Sequence, residues 1–169
     1  DGLKLDPLQI VLLGTALEAA YFVAEIPTGV VADVYSRRLS ILVGVAVLGG
    51  SFIMAGVVSD FPALIATQIA AGIGFTFLSG ATNAWLAGEI GEAAVGPVLI
   101  RAGQIGRVAG IVGALVSAAL SSVALHLPLV VGGSLMIVLA VILTVGMREH
   151  GFTPTVTAGA SPWRETWKG

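Results

Sequence analysis

Five long apolar blocks, separated by short polar segments, divide the chain. The blocks cover residues 8–33, 39–59, 62–88, 97–125 and 128–147. Because a helix rises 1.5 Å per residue, about 20 apolar residues cross the roughly 30 Å hydrocarbon core of a bilayer. Each block therefore predicts a membrane-spanning helix. We expect residues 1–150 to form one all-α, polytopic transmembrane bundle, and the polar residues 151–169 to begin a cytoplasmic linker.

The composition agrees with this pattern. Of the 169 residues, 56% are hydrophobic and only 11% are charged, whereas a soluble domain is about 25% charged. We therefore expect the lipid bilayer to surround most of the chain. The net charge of −2 gives no reason to expect a nucleic-acid partner.

The sequence shows no residues in the patterns that enzymes use for catalysis. There is no cysteine, and the two histidines lack the spacing of metal ligands. No set of catalytic side chains and no cofactor-binding motif stands out. We expect no enzyme activity, no cofactor and no metal.

The basic residues predict an orientation, because loops rich in Lys and Arg stay in the cytoplasm. If the segment that contains Arg37 and Arg38 is cytoplasmic, five spans place the N-terminus outside and the C-terminus inside. Lys4 is then the only basic residue outside, while Arg148 lies inside with the basic residues of the tail.

Ionisable residues within the spans are candidates for proton coupling. Glu18 and Glu25 are seven residues apart, and hence on one face of the first helix. An ionisable side chain near the bilayer centre costs about 2.5–3.5 kcal/mol, so it needs a wet cavity or a partner. Glu18 either carries protons or only fixes packing, as a pair with Arg107 of the fourth span or as a protonated carboxyl bonded to a neighbouring helix. Glu25 lies nearer the inner surface, where a structural role competes with proton coupling.

Polar residues form a stripe on the third span. The spacing is four, four, three and four residues, which keeps them on one helical face. The stripe consists of Gln68, Gly72, Thr76, Ser79 and Asn83. Its four polar members either line an aqueous path for a substrate or form interhelical hydrogen bonds, worth about 0.6 kcal/mol each in lipid.

Glycines form a second stripe, on the fourth span, at Gly103, Gly106, Gly110 and Gly113. Such a stripe lets another helix approach closely in a membrane. It is not a phosphate-binding loop, because the Gly-Lys-Ser/Thr ending is missing.

The segment from Gly29 to Arg38 resembles the signature loop of the major facilitator superfamily of transporters. That signature is Gly, three residues, Asp, a basic residue, any residue, Gly and two basic residues. Gly29, Asp33, Arg37 and Arg38 match it, while Val34 replaces the first basic residue and Ser36 replaces the second glycine. The segments 79–89 and 25–29 are similar to the branch that contains tetracycline- and macrolide-efflux-like members.

This resemblance implies that the five spans are helices two to six of a twelve-helix transporter. The third span is then the cavity-lining fourth helix, and the second and fifth spans are peripheral. Asp33, Arg37 and Glu89 would form a charge latch on the inner side. The first helix and the C-terminal half would be partners encoded elsewhere in a longer protein, as an initial Asp instead of Met also suggests.

The function expected from these patterns is proton-coupled export of small, drug-like molecules across a bacterial plasma membrane. Two alternatives stay open at this point. One is an uptake carrier of the same superfamily for a small metabolite. The other belongs to a different class, a membrane scaffold or receptor that transports nothing.

Overall fold

The computed structural model describes residues 5–151, which form five α-helices. They are α1 (Pro7–Val34), α2 (Arg37–Val57), α3 (Phe61–Ile90), α4 (Glu92–Val123) and α5 (Leu127–Gly146), and residues 5–151 contain no strand. All five are long and apolar enough to cross a bilayer. The all-α membrane fold is therefore confirmed. The predicted linker, apart from Gly151, lies outside the described residues.

Polar side chains fix where the first three helices begin. Asp6 and Gln9 form a reciprocal capping box at α1, in which the Asp6 carboxylate accepts the Gln9 N–H at 2.7 Å. Ser36 accepts the Leu39 N–H at α2, and Asp60 accepts the Ala63 N–H at α3, both at 2.9 Å. Each cap satisfies an N–H that has no partner within its helix.

The connection between α3 and α4 differs from the loop expected over residues 89–96. Gly91 alone separates the two helices, and its φ of 81° reverses the chain direction. This left-handed conformation is open to glycine because it has no Cβ. Pro97, with which the predicted fourth span begins, lies inside α4. Polar residues such as Glu89 and Glu92 suggested a loop, but a helix end outside the lipid accommodates them equally well.

Four helices pack side by side in the order α1, α3, α2, α5. Glycines allow close approach at each contact. A Cβ on Gly72 of α3 would collide with the Leu17 carbonyl of α1. Gly44 and Gly74 face each other between α2 and α3, and a Cβ on Gly49 of α2 would lie 2.8 Å from the Gly133 oxygen of α5. Leu48 and Ala71 are among the most buried side chains of this row.

Helix α4 stands apart from the row. It makes few contacts with α3 and α5, and none of its residues is buried. Large apolar side chains are exposed on α1, α4 and α5, among them Phe22, Ile105 and Val145. Lipid or another protein segment must cover these surfaces, since contiguous exposed apolar patches of this size do not persist in water.

Candidate functional site

The helices alternate in direction, so the signature loop lies at the same end of the bundle as the ends of α3 and α5. We call this the arginine end, made of residues 33–39, 84–92 and 144–151. Arg37 donates from Nη1 to the Ala84 carbonyl of α3 at 3.0 Å. Arg38 donates from Nη2 to the Thr144 carbonyl of α5. The two arginines therefore connect the start of α2 to two different helices.

Glu89 contacts the chain that follows α5. Its Oε1 accepts the N–H of His150 at 2.6 Å and the N–H of Gly151 at 2.9 Å. Its Oε2 lies 3.5 Å from His150 Nδ1. The carboxylate thus binds two consecutive backbone donors. Asp33, the other carboxylate of the expected latch, is exposed at the end of α1, and Gly29 is exposed one turn before it.

Glu149 is the residue that the sequence did not single out. Its Oε2 accepts from the Ser36 hydroxyl at 2.6 Å, and its Oε1 accepts from the Arg38 N–H at 3.0 Å. The neighbouring Arg148 carbonyl accepts from Trp85 Nε1 at 2.8 Å. The only signal available in the sequence was an acid that follows the fifth span on the side where the arginine pair was expected.

The two glutamates of α1 lie on its exposed face. Glu18 and Glu25 are both exposed, and Phe22 between them is 79% exposed. No atom of another helix lies within 4 Å of the position that a Cβ would take on Gly14 or Gly29, which flank them. Within the described residues, this face is therefore uncovered from one end of α1 to the other.

The four polar residues of the α3 stripe have different surroundings. Thr76 is 4% exposed, and its hydroxyl donates to the Ile73 carbonyl at 2.7 Å. Gln68 is half-buried. Ser79 and Asn83 are exposed, and Ser79 donates to the Thr76 carbonyl at 3.2 Å. Of the four, only Ser79 and Asn83 present an exposed polar group near the arginine end.

Arg107 and the glycine stripe lie on the exposed surface of α4. No atom of another helix comes within 4 Å of the positions that a Cβ would take on Gly103, Gly106, Gly110 and Gly113. Among residues 5–151, no ion pair joins Arg107 to Glu18, and α1 and α4 do not pack extensively. Neither the glycine stripe nor Arg107 finds its partner among the described helices.

The comparison with known families is decisive for the class of protein. The sequence model of the Major Facilitator Superfamily matches residues 1–169. The chain belongs to this superfamily. No curated protein and no solved structure matches it. Major facilitator proteins are secondary transporters, and this major facilitator chain is accordingly an integral, multi-pass membrane protein.

Proposed function

We propose that this chain is most of the N-terminal half of a proton-coupled exporter of small, amphipathic, drug-like molecules. The observation that carries the proposal is the uncovered face of α1, where Glu18 and Glu25 are exposed near apolar Phe22. A carboxylate that faced lipid at this depth would cost about 3 kcal/mol. A wet cavity next to this face removes that cost and gives protons access to Glu18.

The remaining helices of the transporter would complete the cavity. We propose that the first helix of the twelve-helix transporter, which precedes α1, covers the glycine stripe of α4. Small residues suit close helix packing in lipid. The C-terminal half would face α1, since such transporters bind substrate between two halves that rock about it. Ser79, Asn83 and Gln68 then become candidates for contacts with substrate. Thr76 is buried and stays a candidate only if the cavity reaches it in another state.

We also propose a bacterial plasma membrane location, with the arginine end in the cytoplasm. Arg37, Arg38 and Arg148 all belong to that end of the bundle. Basic residues are retained on the cytoplasmic side. The described chain then starts outside and ends inside.

The proposal is tested with the full-length transporter in liposomes that contain a pH-sensitive dye. Addition of candidate substrates, taken from a panel of coloured dyes and antibiotics, should drive proton movement across the liposome membrane. The direction of substrate flux relative to that of the protons separates export from uptake. Glu18→Gln should reduce the substrate-driven proton signal at least about tenfold, because it removes a protonatable group.

Glu92→Gln is the matched control, because Glu92 is an exposed carboxylate at the arginine end and outside the α1 face. It should keep the full signal. An unchanged signal in Glu18→Gln would remove Glu18 from the mechanism. Proton movement in the same direction as the substrate would favour the uptake carrier. No flux of any compound would favour a scaffold or receptor.

A further inference from the structure

Four residues that follow Met147, the C-cap of α5, contact both α2 and α3 at the arginine end. We call Arg148–Gly151 the α5 strap. Its Arg148 carbonyl and its His150 and Gly151 N–H groups bind Trp85 and Glu89 of α3. Its Glu149 carboxylate binds Ser36 and Arg38 at the start of α2. The strap therefore links the end of α5 to the start of α2 and to the end of α3.

Glu149 does more than contact the signature loop, since it completes the cap of α2. The Ser36 hydroxyl accepts the Leu39 N–H while it donates its own hydrogen to Glu149. Glu149 also accepts the Arg38 N–H, which has no acceptor within the helix. One carboxylate thus orients the capping hydroxyl and satisfies a second N–H of the first turn. An anion at this position is also favoured by the helix dipole.

The strap packs closely on α3 at Gly88. A Cβ on Gly88 would lie 3.2 Å from the Gly151 oxygen, so the strap crosses α3 where a side chain would interfere. Glu89, one residue further on, binds the strap N–H groups. Glycine at 88 and an acid at 89 together form a seat for the strap.

We propose that the α5 strap makes the signature loop, the end of α3 and the end of α5 move as one unit, with Glu149 as its positioning residue. Any opening of the arginine end then carries the start of α2 along with α5. This role goes beyond the proposed export function and does not depend on the substrate or its direction.

The test measures local opening of α2 in the full-length protein, in a background without other reactive cysteines. Ser40 lies in the first turns of α2, is 0% exposed, and its hydroxyl has no hydrogen-bond partner among the described residues. Ser40→Cys therefore places a thiol at the strapped end without breaking a hydrogen bond. Ser51→Cys, at a site 6% exposed further along the same helix, reports on opening of the whole bundle.

The labelling rate with membrane-permeant N-ethylmaleimide is the readout, followed by mass shift. Glu149→Ala should raise the rate at position 40 about tenfold, since it removes two hydrogen bonds to a charged acceptor. The rate at position 51 should not change. Glu149→Gln should keep the low labelling rate at position 40, because its amide oxygen still accepts the Arg38 N–H and its NH₂ donates to Ser36.

Glu92→Ala is the matched control, an exposed acid at the same end that should leave both rates unchanged. An unchanged rate at position 40 in Glu149→Ala would overturn the proposal, and so would an equal rise at both positions. If Glu149→Ala does not accumulate, Trp85→Phe removes the Nε1 bond to the strap and keeps an aromatic ring against the core. Trp85→Phe should raise the rate at position 40 about fivefold, and no rise would likewise overturn the proposal.

Discussion

Two adjacent glycines of α5 have opposite surroundings. A Cβ on Gly133 would lie 2.5 Å from the Gly49 carbonyl oxygen of α2, whereas no atom of another helix lies within 4 Å of the position that a Cβ would take on Gly132. The Gly49 oxygen belongs to the backbone of a helix, which cannot move aside as the end of a flexible side chain can. Only Gly133 is therefore required by the packing of α2 against α5.

Gly133→Ala should lower the free energy of unfolding by about 1–3 kcal/mol, the usual cost of forcing extra volume into a packed site. Gly132→Ala is the control and should be neutral or stabilising by up to about 1 kcal/mol, because alanine favours helix over glycine. Thermal unfolding of the full-length protein in detergent, followed by circular dichroism, measures both. Equal melting temperatures would show that α2 and α5 do not meet at this point.

Residue roles were predictable only where they are local. The sequence placed Arg37, Arg38 and Glu89 at one end of the bundle, and the structure has them there. The role of Glu149 depends on Ser36, 113 residues earlier in the chain. No local pattern contains such a pair, because it arises only when α5 packs beside α2.

At the scale of elements, the apolar blocks located all five helices to within a few residues at most ends. The largest difference is the start of α4, which is Glu92 rather than residue 97. Hydropathy reports which residues prefer lipid, and helices continue beyond the lipid wherever their backbone hydrogen bonds can form. The side-by-side order α1, α3, α2, α5 could not be read from hydropathy, since each span is apolar on most sides.

The glycine stripe of α4 gives a prediction for that helix. Gly106→Leu in the full-length protein should lower the yield of monodisperse transporter, because the helix that precedes α1 is proposed to pack against this face. Val108→Leu is the control, since residue 108 points about 200° away from residue 106 around the helix. Size-exclusion chromatography after solubilisation measures both. Equal yields would mean that no helix packs closely at Gly106.

At the scale of the whole molecule, the arginine end and the opposite end differ in charge. The opposite end has the short connection between α2 and α3, with Ser59 and Asp60 and no basic residue. Charge asymmetry of this kind was visible in the sequence, because it needs only the number of spans and the positions of Lys and Arg.

This asymmetry predicts which residues a membrane-impermeant maleimide reaches in intact cells. Ser59→Cys, at an exposed site between α2 and α3, should be labelled from outside. Tyr35→Cys, at a site 70% exposed between α1 and α2, should be labelled only after the membrane is permeabilised. Labelling of Tyr35→Cys in intact cells, with Ser59→Cys protected, would reverse the proposed orientation.

The turn at Gly91 has a consequence for everything that follows it. A straight helix through α3 and α4 would be a rod of about 90 Å, three times the thickness of the hydrocarbon core, and much of its apolar surface would lie outside the lipid. Because the chain turns at Gly91 instead, both helices can cross the bilayer, and α5 returns to the side where the strap meets α3. A residue without a side chain therefore joins two consecutive crossings.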